Sequence, residues 1–108
     1  MFATLPFDEV FPVQVAQNLQ DYTVIDVRTP GEFHGFLGHI PGAELVTFPQ
    51  LPAKAQSWKK DQKLLFVCRS GNRSGQVCHW LGSQGYTDVH NLIGGMQAWR
   101  SSGLPAEQ

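Results

Sequence analysis

The sequence predicts an α/β domain built on an open, mostly parallel sheet. Three observations carry this. Short β-branched or apolar runs alternate with segments of helical pattern along the whole chain, which is the signature of parallel strands joined by helical crossovers. Tyr22–Val27 and Lys63–Val67 are apolar almost throughout rather than alternating, as strands covered on both faces are. Polar residues punctuate the ends of these strands, at Asp26–Arg28 and Cys68–Arg73, where parallel sheets place their ligands.

The elements follow in order. Val10–Leu19 reads as a short helix with Pro12 in its first turn and Val15, Ala16 and Leu19 facing a core. Phe11 stands where a polar cap is more usual. Tyr22–Val27 is a buried strand. Thr29-Pro30-Gly31-Glu32-Phe33 opens a helix, with Thr29 as cap, Pro30 at the first position and Glu32 closing a capping box. Gly38-His39-Ile40-Pro41-Gly42-Ala43 is a turn, which His39 is expected to hold by hydrogen bonding. A short strand is expected over Glu44–Val46 and a helix over residues 50–60. Lys63–Val67 is the second buried strand. Ser74–Gln84 is helical and stops at Gly85. Asp88–Leu92 is a strand, and Gly95–Ser102 a final helix closed by Gly103 and Pro105. Trp58, Trp80 and Trp99 fall in the helical segments and read as core anchors.

Composition bounds the function. The chain has 108 residues and reads as one domain over 1–108. Eight basic residues against nine acidic ones leave no global field to draw nucleic acid or a membrane. No apolar run approaches the roughly 20 residues that span a bilayer. The N-terminus lacks the basic and apolar regions of a secretory signal, so a soluble, cytoplasmic protein is expected. Two cysteines, Cys68 and Cys78, are too few for a disulfide scaffold, and without a Cys/His cluster no metal is expected. A monomer is the default.

The stretch Cys68-Arg69-Ser70-Gly71-Asn72-Arg73-Ser74-Gly75 joins a strand to a helix. Gly71 and Asn72 tolerate left-handed backbone angles, which turn successive N–H groups toward one point. Such a nest beside a helix N-terminus binds anions and stabilises a thiolate, and nearby arginines strengthen the effect. Cys68 is therefore the candidate nucleophile. Its competing role, a small buried packing residue, does not account for a polar loop with two arginines. Arg69 and Arg73 suit oxyanion recognition, because guanidinium forks match tetrahedral anions. Cys78 sits on the apolar side of its helix with Val77 and Leu81, and reads as packing rather than as a resolving thiol. His34, His79 and His90 have no recognisable partner.

Four segments in this order resemble the single-domain rhodaneses, which are sulfurtransferases. They are Val24-Ile25-Asp26-Val27-Arg28; Pro30-x-Glu32-Phe33 with Gly38-His39-Ile40-Pro41-Gly42-Ala43; Cys68 to Ser74; and Leu92-Ile93-Gly94-Gly95-Met96-x-Ala98-Trp99. The resemblance implies a parallel sheet of about five strands with helices on both faces. It implies that Cys68 takes sulfane sulfur from a small anionic donor such as thiosulfate and passes it to cyanide, a thiol or a protein. Arg69, Ser70, Gly71, Asn72, Arg73 and Ser74 would form the substrate-binding cradle, with Arg69 and Arg73 on the anion. Asp26, Arg28, Glu32, Gly38 and His39 would be architectural, and no cofactor is implied. The alternative is a persulfide carrier or partner-binding module in a sulfur relay. A cysteine phosphatase or arsenate reductase fits less well, since Cys-x5-Arg chemistry would need arginine at position 74, where Ser74 stands.

Overall fold

The computed structural model describes residues 5–108. Five strands form one sheet: β1 (Asp8–Val10), β2 (Thr23–Asp26), β3 (Glu44–Leu45), β4 (Leu64–Val67) and β5 (Val89–Leu92). Their spatial order is β1-β5-β4-β2-β3 and every pairing is parallel. The helices are α1 (Pro12–Ala16), α2 (Pro30–Phe33), α3 (Leu51–Ala55), α4 (Asn72–Ser83) and α5 (Gly95–Ser101). None is long and apolar enough to cross a membrane among the described residues.

The central strands explain themselves. All four residues of β4 are buried, as are all four of β5. Alternate side chains serve two separate cores. Leu64 and Phe66 face Leu51, Ala55, Val77 and Leu81 from α3 and α4. Leu65 and Val67 face Val15, Met96 and Trp99 from α1 and α5. Each face of the sheet is thus closed by a helix pair, which is why β4 is wholly apolar, whereas β5 buries the polar side chains of His90 and Asn91.

The differences from the sequence reading have local causes. Val10 does not begin a helix; it ends β1, an edge strand that pairs with His90, Asn91 and Leu92. The expected helix over Val10–Leu19 shortens to α1, because Asn18 leaves helical geometry at φ −141° and a separate 3₁₀ turn follows at Leu19–Asp21. The expected helix over residues 50–60 contracts to α3, preceded by a 3₁₀ turn at Phe48–Gln50. Helix α4 begins at Asn72, two residues before Ser74, and ends beside Gly85 at φ 92°. Trp58 is buried edge-on to Phe66 at 5.5 Å, and Trp99 Nε1 donates to the Pro105 carbonyl at 2.9 Å. Trp80 departs from its expected place in the core: it is 38% exposed, on the outer side of α4.

Candidate active site

The site forms at the carboxyl end of the sheet, between β4 and α4. Cys68 is the first residue beyond β4 and is buried. Gly71, at φ 100°, turns the chain into α4. That left-handed angle aims the Gly71 N–H at Cys68 Sγ, 3.1 Å away. Asn72 does not share it: no residue other than glycine has positive φ among the described residues. Ser74 Oγ lies 3.3 Å from the sulfur.

The loop is also held from below. The Met96 and Gln97 N–H groups at the start of α5 donate to the carbonyls of Cys68 and Arg69, at 2.9 and 3.0 Å. Gly94 and Gly95 have φ of 74° and 55°. A Cβ at Gly95 would run into the Cys68 carbonyl. This close approach is the physical reason for two adjacent glycines in Leu92-Ile93-Gly94-Gly95-Met96: they let a helix start directly beneath the loop.

The electrostatics favour the thiolate. Burial pushes the Cys68 thiol up, but the Ser74 hydroxyl and the N–H groups of Ser74, Gly71 and Ser70 outweigh it, and the net shift is downward. The N-terminal end of α4 adds its partial positive charge. Cys78 shows the opposite case. It is buried in the apolar core with no comparable donors, and burial, helped by the charge of Glu9, pushes its thiol far up. The two cysteines are thus shifted in opposite directions by their surroundings.

The four arginines divide by environment. Arg28 is buried in a bidentate pair with Asp26, at 2.9 and 2.7 Å, and donates to the carbonyls of Glu32 and Gly38. Arg73 pairs just as fully with Glu32, both bonds being 2.8 Å. Expected on the substrate anion, Arg73 is instead turned to α2 and ties the loop to it. Arg100 bonds the Phe36 and Leu37 carbonyls. Arg69 is exposed and has no such partner among the described residues. It borders a cleft of about 330 Å³ that Glu32, Phe36 and Leu37 also line. Ser70 and Asn72 are exposed at the loop rim. His39 holds its turn as the sequence suggests: Nδ1 is 2.8 Å from the Phe33 carbonyl, and its ring stacks on Phe33.

The ion pair with Arg73 takes Glu32 from its ordinary 4.5 down to about 2: the Arg73 hydrogen bonds are the main cause, burial opposes them, and the Thr29 N–H and the charges of Arg73 and Arg28 add to the lowering. A carboxyl lowered on folding stabilises the fold above its unfolded pKa, and that contribution fades as pH falls through the folded value. Wild type is therefore expected to be more stable than Glu32→Gln at pH 6, with the difference shrinking between pH 4.5 and 2. Urea midpoints at pH 6 and pH 3 check this. Both partners are about one third exposed, so the gap should be modest and smaller in high salt.

Two residues of the site escaped the sequence reading. Glu32 reads from sequence as a capping-box and architectural residue, and it does accept from the Thr29 N–H at 3.2 Å; its ion pair with Arg73 spans 41 positions. Asn91 reads from sequence only as part of the strand Asp88–Leu92. Its Nδ2 donates to the Gly71 carbonyl at 3.1 Å, so it braces the turn of the loop.

A buried cysteine facing N–H donors, at the carboxyl end of a parallel sheet covered on both faces, is an arrangement able to hold a sulfur anion. The rhodanese-like domain pattern matches residues 11–102. A sulfurtransferase of Allochromatium vinosum is 41% identical over 86 residues, covering 80% of this chain and 78% of that protein. The thiosulfate sulfurtransferase GlpE of Pseudomonas fluorescens Pf-5 is 35% identical over 98 residues, covering 89% and 87%. Among solved structures, a rhodanese-related protein from Thermoplasma volcanium superposes with a TM-score of 0.81 at 29% identity, covering 92% of this chain and 96% of that one. The chain belongs to the rhodanese-like sulfurtransferase family.

Proposed function

We propose that the protein moves sulfane sulfur from a small anionic donor such as thiosulfate to cyanide or a thiol, through a persulfide on Cys68. The observation that carries this is the ring of donors on Cys68 Sγ, which favours a sulfur anion at that position. In the first half-reaction the Cys68 thiolate attacks the outer sulfur of thiosulfate. The new S–S bond forms as the old one breaks, its electron pair leaves with sulfite, and the enzyme keeps an anionic persulfide. In the second, cyanide attacks the terminal sulfur, thiocyanate departs and the thiolate returns. Charge stays on sulfur throughout, so the same N–H groups stabilise both steps.

Arg69 supports an anionic donor, since its side chain is exposed beside the loop. Phosphoryl chemistry finds less support. Arg73, the arginine that closes the loop, spends both terminal nitrogens on Glu32, and the loop is one residue shorter than the Cys-x5-Arg pattern.

Intact mass tests the proposal. The reduced protein is expected to gain one sulfur atom from thiosulfate and to lose it to cyanide, with thiocyanate appearing in equal amount. No gain would remove thiosulfate as donor. No gain from any persulfide or thiosulfonate donor would overturn sulfur transfer itself. Loading without turnover on cyanide or small thiols would point to a carrier that serves one protein acceptor.

A further inference from the structure

Ser74 Oγ is buried between an amide oxygen and a sulfur, and it has a single proton to give. It lies 2.6 Å from Asn91 Oδ1 and 3.3 Å from Cys68 Sγ. The sense of the Asn91 amide is fixed by its other contacts. Nδ2 faces the Gly71 carbonyl at 3.1 Å and Glu9 Oε2 at 3.5 Å, both acceptors. Oδ1 is therefore the atom turned to Ser74, and an amide oxygen only accepts. A hydroxyl and an amide oxygen at 2.6 Å must have a proton between them, and Ser74 alone can supply it. The amide also has little room to turn away: a Cβ at Gly75 would stand 3.3 Å from Nδ2.

While Ser74 donates to Asn91, it offers Cys68 only lone pairs, which suit a thiol S–H. A Cys68 thiolate needs the reverse. The hydroxyl must then rotate to the sulfur, and Asn91 Oδ1 loses its donor. We propose that Asn91 is a positioning residue of the sulfur site, which competes with the Cys68 thiolate for the Ser74 proton and so sets how readily that thiol ionises.

The surrounding charges do not settle this competition themselves. Arg73 is paired with Glu32, Asp26 with Arg28, and Glu9 stands behind the Asn91 amide. Arg69 is exposed on the loop, and the side chain of Cys78 reaches only the His90 carbonyl, at 3.5 Å. His90 is engaged with Asp88. Among the described residues, the hydroxyl of Ser74 is the only side-chain donor within reach of Sγ.

Alkylation of Cys68 by iodoacetamide as a function of pH measures the ionisation directly and needs no sulfur donor. It can therefore fail or succeed apart from the sulfurtransferase reading. Ser74→Ala is expected to slow alkylation below the thiol pKa. Asn91→Ala is expected to speed it, by roughly three- to tenfold for one hydrogen bond returned to the thiolate. In the Ser74→Ala background, Asn91→Ala should change nothing. Slower alkylation in Asn91→Ala, or the same change in both backgrounds, would mean that Asn91 acts only by bracing Gly71, and would overturn the proposal. Should Asn91→Ala fail to fold, the wild-type protein decides. The Asn91 Cγ resonance of ¹³C-labelled protein should titrate with Cys68, and should stop doing so in Ser74→Ala. A resonance that never follows Cys68 refutes the competition.

Discussion

Cys68→Ser is expected to fold as the wild type does and to take up no sulfur at all. The substitution exchanges one small buried group for another inside the same ring of donors, and the Gly71 N–H and Ser74 hydroxyl, 3.1 and 3.3 Å from the sulfur, can meet an oxygen as well. What is lost is the sulfur itself, whose thiol the loop shifts toward ionisation. A serine hydroxyl has no neighbouring histidine free to act as a base among the described residues: His39 is engaged with the Phe33 carbonyl, and His90 with Asp88. Thiocyanate formation should drop to the uncatalysed rate, because a covalent mechanism has no alternative route once its nucleophile is gone. Intact mass after thiosulfate, beside the wild type, gives the answer. Sulfur gained by Cys68→Ser would place the nucleophile elsewhere. Cys78 is the one other cysteine, and its raised pKa and apolar surroundings predict that it stays unmodified.

The second large effect is on stability. Arg28→Met is expected to cost about 3–5 kcal/mol, the usual result of leaving one member of a buried ion pair alone. Asp26 and Arg28 are both about 1% exposed. With Arg28 removed, the Asp26 carboxylate keeps only the residue 28 backbone N–H, at 3.1 Å. The Gly38 and Glu32 carbonyls lose their guanidinium as well. For a domain of this length the loss should lower the melting temperature by more than about 10 °C. Asp26→Asn combined with Arg28→Met should recover part of it, since the stranded charge is then gone. A double variant no more stable than Arg28→Met would show that the carbonyl contacts, rather than the Asp26 charge, carry the cost.

The fold was legible wherever burial on both faces leaves its mark on composition. Thr23–Asp26 and Leu64–Val67 declared themselves by apolar runs, and Thr29 and Glu32 by a capping pattern that the structure reproduces. β1 left no such mark. Its three residues include two exposed acids, and it is a strand only because β5 offers a free edge. The expected helix over 50–60 overran because nothing in the sequence shows that the chain turns away after Ala55 to bury Trp58.

The candidate site divides in the same way. Local features could be read: the cysteine at a strand end, the glycine that turns the loop, the serine in the following helix. Long-range pairings could not. Nothing in the spacing of Glu32 and Arg73 says that they meet, so the sequence left both loop arginines open to an anion, and the structure engages one of them. Asn91 looks like any polar residue of a strand until Gly71, Ser74 and Cys68 are brought beside it.

The seat that α5 provides for the loop bears on when the surroundings of Cys68 are completed during synthesis. The carbonyls of Cys68 and Arg69 rest on N–H groups of Met96 and Gln97, which the ribosome adds more than twenty residues later. A nascent chain that has already released Cys68 but not Met96 therefore lacks the two hydrogen bonds that seat the loop. Chains interrupted before the last helix never acquire that support. The order of residues along the chain thus puts the loop first and its support later, so the surroundings of Cys68 are complete only once Met96 and Gln97 have joined the fold.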